Sequence, residues 1–345
     1  MTTIRFVLVG LGNLGRRFCE IVLEKEPLLR ERYGLDLRLV GAADSRGSAY
    51  DPAGLELAEV VRLKLAGGTI ADYPQVGRRE RDAMALLSTA EADLLLEASP
   101  VNLEQGAEPG LSCVRMALRR GWHVITPNKG PLVVAFDELH ELAAAQGVQL
   151  RFDGTVAGGL PAINLGSRDL RGAIIERVEA VPNLTTGYVM DLLASGATWE
   201  ESRVRARAAG VMEGDGSWDL EGWDTAAKLT ILSNAVLGYP ARLEDVPRVK
   251  LAELDLGDLR SAYTRGEHYR LLASAVRRPD GSYALDVSPV ALTPSHPLGR
   301  LGEKQLGIVY TTDIYGTITA IIDEPSPIPS AATMLRDLLD IYVPY

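Results

Sequence analysis

Short apolar runs alternate with segments of helical periodicity in the first half of the chain. Each run is rich in apolar residues and ends at or close to a Gly, Pro, Asn or Asp residue, as expected of a buried strand. The predicted strands lie at 4–9, 37–43, 92–98, 122–126 and 148–152. Apolar residues at three- and four-residue spacing predict helices at 16–23, 55–65, 78–87, 111–120 and 136–146. This alternation predicts a doubly wound parallel sheet, an α/β fold, that ends near residue 153.

The second half of the chain follows a different pattern, typical of an α+β domain at 154–322. A strand is predicted at 174–181 and antiparallel strands at 269–276, 283–290, 306–312 and 317–322. Helices are predicted from 189, at 199–209 and, starting near 223, to about 237. A last helix at 330–341 has an apolar face that needs a host, so we expect the segment from about 323 to 345 to return to the first domain.

Composition narrows the range of partners. The chain has 345 residues, of which 46% are hydrophobic and 24% charged, which suits two globular domains. The net charge of −10 disfavours nucleic acids and anionic membranes as partners, and no apolar stretch is long enough to span a bilayer. The two cysteines suit a reducing compartment, so a cytoplasmic location is predicted. The four histidines show no metal-ligand spacing.

A glycine motif, G-x-G-x-x-G, follows the first predicted strand and opens a helix. Its residues are Gly10, Leu11, Gly12, Asn13, Leu14 and Gly15. In this position the first glycine permits a tight turn, the second lets the backbone approach a pyrophosphate, and the third lets the helix pack against the strand. The motif therefore predicts a dinucleotide site in a Rossmann-type domain.

Two residues after the second predicted strand bear on the choice of dinucleotide. Asp44 at the strand end could accept from both ribose hydroxyls, which favours NAD. Arg46 could bind a ribose phosphate, which favours NADP, or could be a solvated loop residue. The sequence leaves NAD and NADP both open.

Candidate contacts also follow the next two strands. Ser99 and Pro100 end one strand, and in a parallel sheet such ends border the ligand crevice, here at the nicotinamide half of the cofactor. Lys129 lies at the same rim, between Asn128 and Gly130. A lysine there can contact a phosphate or carboxylate or transfer a proton; the alternative is a turn lysine in solvent.

The segment 213–228 carries four carboxylates and then Lys228. Asp224 and Lys228 are one helical turn apart and share a face that continues into apolar residues. A surface ion pair would need no further explanation. An inward lysine beside an inward carboxylate, however, is costly unless a site uses it, and such a lysine can hold a proton near a reacting oxygen.

Several of these stretches together resemble homoserine dehydrogenase, over nearly the whole chain. The matching motifs are G-L-G-N-L-G at 10–15, T-P-N-K-G-P at 126–131, G-T-V-A-G-G-L-P at 154–161, E-G-D-G-S-W-D-L-E-G-W-D-T-A-A-K-L at 213–229 and, more weakly, the tail from 329. The resemblance implies a reversible, NAD(P)H-dependent reduction of L-aspartate 4-semialdehyde to L-homoserine, a step in threonine, methionine and isoleucine biosynthesis. It also implies a homodimer, in which residues 154–322 bind substrate and dimerise, and a short form without a regulatory domain.

The same resemblance assigns roles to particular residues. Asp224, Lys228 and Lys129 would be catalytic, while Glu213, Asp219, Asn183 and Thr185 would bind the substrate. A sodium ion would be held by Asp153, Val156, Gly158 and Leu160, a glycine-rich turn that also suits a plain linker. The loops at 183–187 and 323–330 depart from the family pattern, which affects the expected substrate preference and cofactor affinity.

Other functions fit less well. A semialdehyde dehydrogenase that works through a thioester needs an activated cysteine, and Cys113 lies in a helical pattern without a nearby histidine. A nucleotide-binding sensor without catalysis would account for the altered loops, but not for the retained carboxylates and lysines. An NAD(P)-binding homologue that acts on a different small aldehyde or alcohol stays open.

Overall fold

The computed structural model describes residues 1–212 and 214–343. The chain divides into two compact units. Unit 1 is formed by Met1–Thr155 together with the C-terminal segment from Ser326, and unit 2 by Val156–Pro325. No helix in the described ranges is both long and apolar enough to cross a membrane.

Unit 1 is built on a sheet of the predicted doubly wound type. In the described residues its strands are β1 (Thr2–Val9), β2 (Leu35–Asp44), β3 (Gly47–Tyr50), β4 (Gly77–Arg78), β5 (Leu94–Glu97), β6 (His123–Ile125) and β7 (Leu150–Arg151). Their spatial order is β4-β3-β2-β1-β5-β6-β7, and all pairs are parallel except the two that involve β3. The chain reverses its direction of winding between β1 and β5, so their carboxyl ends border a crevice.

The helices of unit 1 connect these strands. They are α1 (Asn13–Tyr33), α2 (Leu57–Leu65), α3 (Ala83–Thr89), α4 (Gly110–Arg119) and α5 (Lys129–Gln146). Phe6 of β1 and Phe18 of α1 are fully buried and meet edge to face, with ring centroids 6.0 Å apart. The apolar run of β1 is buried on both faces because helices cover both sides of a parallel sheet.

The prediction of a helix at 78–87 in unit 1 was wrong for the first half of that range. The expected helix at 78–87 is replaced by β4, which pairs with β3, followed by α3 from Ala83. The Asp82 side chain accepts a hydrogen bond from the Ala85 amide and so begins α3 five residues later than predicted. The pairing of β3 with β2 and β4 depends on contacts across the sheet, which helical periodicity cannot reveal.

Unit 2 contains an antiparallel sheet in the order β10-β9-β8-β11-β12. Its strands are β8 (Ile175–Val181), β9 (His268–Arg277), β10 (Tyr283–Leu292), β11 (Gln305–Thr312) and β12 (Gly316–Asp323). The helices are α6 (Ala162–Asn164), α7 (Leu184–Ala194), α8 (Trp199–Ala208), α9 (Ser217–Leu220), α10 (Trp223–Leu232) and α11 (Leu256–Thr264). Helices α7, α10 and α11 all pack on β9, and a π-helical turn at Ser233–Leu237 extends α10.

Helix α7 begins earlier than predicted. The expected start was residue 189, but the Asn183 side chain accepts from the Thr186 amide and caps the helix at Leu184. This cap places Asn183 at the helix entrance, where it becomes part of the site described below.

The C-terminal helix α12 (Ile328–Tyr342) belongs to unit 1, as predicted. Its Met334 and Leu338 are buried in the same apolar cluster as Phe6 and Phe18. The helix therefore covers the unit 1 core, and its apolar face supplies the reason for its return.

Candidate active site

The glycine loop has the geometry that a bound pyrophosphate requires. Gly10 adopts a positive φ of 93°, and a Cβ there would lie 2.2 Å from the Ala98 carbonyl oxygen. A Cβ on Gly15 would lie 2.0 Å from the Gly10 carbonyl oxygen, so α1 could not pack this closely with any other residue. Gly12 precedes α1, whose first turn has neither a side-chain cap nor an acidic residue. Its amide groups therefore suit an anion.

The other three residues of the motif occupy different surroundings. Leu11 is buried in the apolar cluster of unit 1, so its side chain anchors the loop. Asn13 is exposed and Leu14 is half-buried at the start of α1. Backbone amides of this turn, rather than side chains, are the groups that fit phosphate oxygens.

Asp44 is already a fully used acceptor. Its Oδ1 accepts from the Thr69 hydroxyl at 2.7 Å and from the Arg46 amide at 3.0 Å. Its Oδ2 accepts from Lys64 Nζ at 2.6 Å and from the Ile70 amide at 3.0 Å. Burial raises the pKa of Asp44, but these hydrogen bonds outweigh it and leave the pKa below its ordinary value. A ribose hydroxyl would have to displace one of these donors.

Arg46 is exposed at the end of the same strand. Its guanidinium donates to the carbonyl oxygens of Gly67 and Gly68, at 3.1 and 2.6 Å. Arg46 and Lys64 are thus two cationic side chains near the end of β2, and Lys64 is the one paired with Asp44. Lys64 was not singled out in the sequence, because its position in α2, 20 residues from Asp44, gains meaning only through the fold.

Ser99, Pro100 and Lys129 follow the carboxyl ends of β5 and β6. Ser99 is buried and Pro100 is exposed. Ser99 lies next to the glycine loop, because its backbone nitrogen is 2.5 Å from a Cβ built on Gly10. Lys129 is half-buried and is the first residue of α5. The Asn128 side chain caps this helix by accepting from the Gly130 amide at 2.9 Å. These rim positions agree with the predicted crevice.

A second cluster of predicted residues forms within unit 2. Asn183 Nδ2 donates to Asp219 Oδ1 at 2.7 Å and to Asp224 Oδ2 at 2.6 Å. Lys228 Nζ lies 2.7 Å from Asp224 Oδ2 and donates to the Pro182 carbonyl oxygen at 2.6 Å. Residues 36 to 46 positions apart are thus brought together, and the Pro182 carbonyl is a participant that the sequence does not reveal.

The Asp224–Lys228 pair points inward, as its apolar neighbours indicated. The side chains are 7% and 13% exposed, far less than a surface pair. Gly222, with φ of 81°, ends the preceding turn so that α10 starts at Trp223 and Asp224 falls in the first helical turn. A carboxylate there is favoured by the helix dipole, and it compensates a buried ammonium.

The predicted substrate ligands Thr185 and Asp219 differ in their contacts. Thr185 is buried and its hydroxyl donates to the Val211 carbonyl oxygen, so it connects α7 to the segment before residue 213. Asp219, in α9, accepts from the Asn183 amide group that also donates to Asp224. Glu213 lies outside the described residues.

The predicted sodium ligands lie in different surroundings in the two units. In unit 1, Asp153 is buried and its carboxylate pairs with Arg336 at 2.5 Å, while its amide donates to Asp337 at 3.1 Å. In unit 2, Val156 and Leu160 are buried, and Gly158 has a positive φ of 57°. Over residues 1–212 and 214–343, no group of three or more His, Cys, Asp or Glu residues could hold a metal ion.

Cys113 does not have the surroundings of a nucleophile. It is fully buried in α4, and burial, the main cause, raises the pKa of its thiol with help from nearby carboxylates including Glu97. A thioester mechanism needs an accessible thiolate, so this geometry is unfavourable for it.

Known families match both halves of the chain. A family model described as "Homoserine dehydrogenase, NAD binding domain" matches residues 10–153, and one described as "Homoserine dehydrogenase" matches residues 161–339. These matches include the glycine loop and the Asn183–Lys228 cluster. The chain belongs to the homoserine dehydrogenase family. It is therefore an NAD(P)-dependent oxidoreductase, as its resemblance implied.

Individual relatives agree with this assignment. The chain is 31% identical over 343 residues to an NAD(+)-dependent homoserine dehydrogenase of Pseudomonas canavaninivorans, covering 99% of this chain and 97% of the relative. It is 31% identical over 337 residues to a homoserine dehydrogenase of Methanocaldococcus jannaschii, covering 97% and 98%. A crystal structure of a provisionally assigned homoserine dehydrogenase from Archaeoglobus fulgidus superposes with a TM-score of 0.86 at 30% identity, covering 98% of this chain and 99% of that one.

Proposed function

We propose that this enzyme reversibly reduces L-aspartate 4-semialdehyde to L-homoserine, with Lys228 as the proton donor and Asp224 as its partner. The observation that carries the proposal is the buried Asp224–Lys228 pair at 2.7 Å. When bound, the nicotinamide cofactor supplies the hydride. As the aldehyde carbon is reduced, negative charge grows on its oxygen, and an ammonium next to that oxygen stabilises the charge and donates the proton.

The contacts of Lys228 support this role. An ammonium has three N–H donors, and Asp224 and the Pro182 carbonyl take two of them within the residues that the structure describes. The remaining donor is available for a substrate oxygen. The ion pair with Asp224 fixes the direction of the Lys228 side chain, whereas a flexible surface lysine would have no fixed direction.

The neighbouring carboxylate supports recognition of an amino acid. Asp219 is held by Asn183 in the same cluster as Asp224. Both aspartates therefore have a fixed position, and a carboxylate in a partly buried site attracts an ammonium group. In this proposal Asp219 and Glu213 bind the substrate amino group, and Lys129 is a second cation at the cofactor rim that contacts the substrate.

We further propose NADP(H) as the tighter-binding cofactor. Asp44 is filled by protein donors, and Lys64 and Arg46 leave two cations at the end of β2. A ribose phosphate would add a partner for these cations, whereas ribose hydroxyls would compete for an occupied acceptor. Three features stay predictions: a homodimer, a cytoplasmic location, and a sodium ion bound by Asp153, Val156, Gly158 and Leu160.

The dimer prediction can be related to the sheet of unit 2. Helices α7, α10 and α11 pack on β9, where Ala273 and Ala275 are fully buried. On the opposite face of the sheet, Val276 is half-buried and Ile321 is 45% exposed. A second copy of the chain could cover this face, and sedimentation velocity measures whether the protein is a dimer.

The decisive experiment measures homoserine-dependent reduction of NADP and NAD at 340 nm. Lys228→Ala should lower kcat by about two to four orders of magnitude, the usual contribution of a proton donor, while NADPH still binds with nearly unchanged Kd. Lys250→Ala is the matched control, because Lys250 is an exposed lysine of the same unit. Wild-type-like turnover in Lys228→Ala would remove Lys228 from the mechanism. If the unaltered protein binds the cofactor but shows no turnover, the alternative of a nucleotide-binding sensor without catalysis is favoured.

A further inference from the structure

Glu97 is a buried carboxylate that the reaction described above does not use. It is the last residue of β5, at the carboxyl edge of the sheet, and its side chain is completely inaccessible to solvent. Burial of an ionisable group is costly unless hydrogen bonds compensate it. Its partners therefore indicate what the residue does.

The partners of Glu97 form a closed ring across two strand ends. Glu97 Oε1 accepts from the Ser99 amide at 2.8 Å, and Oε2 accepts from the Thr126 hydroxyl at 3.0 Å. The Thr126 hydroxyl oxygen accepts from the Asn128 amide at 3.0 Å, and Asn128 Nδ2 donates to the Ser99 hydroxyl at 3.4 Å. All four residues are at most 9% exposed, so the ring lies within the protein.

The ring leads directly to Lys129. Asn128 is the cap of α5, since its Oδ1 accepts from the Gly130 amide at 2.9 Å, and Lys129 is the first residue of that helix. The hydrogen bonds therefore run from Glu97 through Thr126 and Asn128 to the backbone that carries Lys129. Glu97 is therefore connected by hydrogen bonds to the first turn of this helix.

The ring is closely packed. A Cβ on Gly110, the first residue of α4, would lie 2.7 Å from Asn128 Nδ2 and 3.3 Å from Glu97 Cδ. A Cβ on Gly130 in α5 would lie 3.2 Å from Asn128 Oδ1. The start of α4 thus approaches the ring so closely that a side chain larger than glycine would displace it.

The contacts of Glu97 need two acceptor oxygens. Ser99 offers an amide N–H, and the Thr126 hydroxyl, which already accepts from Asn128, offers its proton to Glu97. Burial raises the pKa of Glu97, and the hydrogen bonds from Ser99, Thr126 and Asn128 oppose that rise. A glutamine of the same shape keeps one acceptor oxygen for the Ser99 amide but presents an N–H to Thr126, so the Thr126 hydroxyl must turn its proton away from residue 97 and find another acceptor.

We propose that Glu97 is a positioning residue, which acts through Thr126 and Asn128 to set the direction of Lys129 at the cofactor rim. The inference rests on the proposed function, in which Lys129 contacts the substrate. Productive geometry is sensitive at this scale, because a misplacement of about 1 Å can reduce turnover by on the order of a hundredfold. The predicted signature is a loss of kcat that greatly exceeds any loss of dinucleotide affinity, because the glycine loop contributes no side chain to the ring and Ser99 is the ring residue beside it.

The test compares Glu97→Gln with Asp93→Asn. Asp93 is a carboxylate immediately before the amino end of the same strand, where it pairs with Arg5 at 2.8 Å. Glu97→Gln should lower kcat by about 10- to 100-fold while the Kd for NADPH, measured by fluorescence titration, changes by less than about threefold. Asp93→Asn should leave both unchanged. A kcat of Glu97→Gln equal to that of Asp93→Asn overturns the proposal.

A double variant separates positioning from a general loss of structure. If Glu97 acts through Lys129, the kcat of Glu97→Gln/Lys129→Ala should equal that of Lys129→Ala alone, whereas independent effects would multiply. Thr126→Val and Thr126→Ser supply a second route if Glu97→Gln does not fold. Thr126→Val should reproduce the kcat loss, whereas Thr126→Ser, which keeps the hydroxyl, should retain turnover. The inference is overturned if the effects of Glu97→Gln and Lys129→Ala on kcat multiply in the double variant. It is also overturned if Thr126→Val and Thr126→Ser have the same kcat. Wild-type enzyme that binds NADPH but never turns over homoserine refutes the proposed function instead.

Discussion

We predict that Asp337 makes a contribution to the stability of this enzyme that is lost as the pH rises. The residue lies in α12, is 1% exposed, and accepts a hydrogen bond from the Asp153 amide through Oδ2. Its Oδ1 has no hydrogen-bond partner in the described ranges. Burial, followed by the nearby Asp153 carboxylate, raises the pKa of Asp337 from its ordinary 3.8 to about 8. The protonated acid is therefore the form that the native state prefers.

The sign and size of the effect follow from linkage. The native state binds the proton more tightly than the unfolded chain, so the stabilisation is complete below about pH 4 and is lost as the pH rises through about 8. A difference of about four pH units corresponds to about 4 to 6 kcal/mol at about 1.4 kcal/mol per unit. The asparagine of Asp337→Asn does not titrate, so it removes this pH dependence. Its amide group at the Oδ1 position would have no hydrogen-bond partner, which costs about 1–3 kcal/mol at every pH.

The assay is guanidinium unfolding followed by circular dichroism from pH 4 to pH 9. Relative to wild type, the free energy of unfolding of Asp337→Asn should rise steadily between pH 4 and 8 and then level off. Asp93→Asn is the control, because Arg5 helps to hold the pKa of Asp93 below its ordinary value despite the opposing effect of burial. Its contribution is lost only as the pH falls through the acid range, so its difference from wild type should stay constant above pH 5. A constant difference for Asp337→Asn as well would refute the reasoning.

Three further substitutions test candidate residues of unit 1 and of unit 2. Asn183→Ser keeps a helix cap but removes the amide between Asp219 and Asp224, so the KM for homoserine should rise about tenfold or more in steady-state assays. Gly15→Ala places a methyl group 2.0 Å from the Gly10 carbonyl oxygen, so it should weaken NADPH binding at least tenfold and lower the melting temperature. Gly12→Ala is the control: a Cβ at Gly12 meets no atom within 4 Å, so the melting temperature should not change. Asp44→Asn should lower the free energy of unfolding at pH 7 by about 1–3 kcal/mol. This loss should begin to shrink as the pH falls below about 4 and continue to shrink as the pH falls through the native pKa of Asp44, which is lowered. Equal loss at pH 7 and pH 3.5 would contradict that account.

Local patterns were sufficient for the frame of the fold. The strand at 4–9, the glycine loop and the start of α1 are contiguous, and a buried parallel strand needs a continuous apolar run. Strand β12 of unit 2 alternates between half-buried and exposed positions, and this alternation made it recognisable as an antiparallel strand. The i,i+4 spacing of Asp224 and Lys228 likewise indicated that both side chains share one helical face.

Contacts between distant segments decided the rest. Residues 78–87 combine helix-compatible spacing with a two-residue strand, and the strand wins because β3 supplies its partner. Asn183 lies 41 residues from Asp224, so no periodicity could place its amide against that carboxylate.

For the site residues, the sequence determines the chemical type of each side chain, and the tertiary structure determines its role. The sequence by itself determined which groups are available: a phosphate-binding turn, an acidic strand end and a carboxylate–lysine pair. Only the tertiary structure decided that Asp44 is filled by Lys64 and Thr69, and that Glu97 joins two strand ends in a ring. The reason is physical, since a side chain's role depends on which donors and acceptors surround it, and folding brings those from anywhere in the chain.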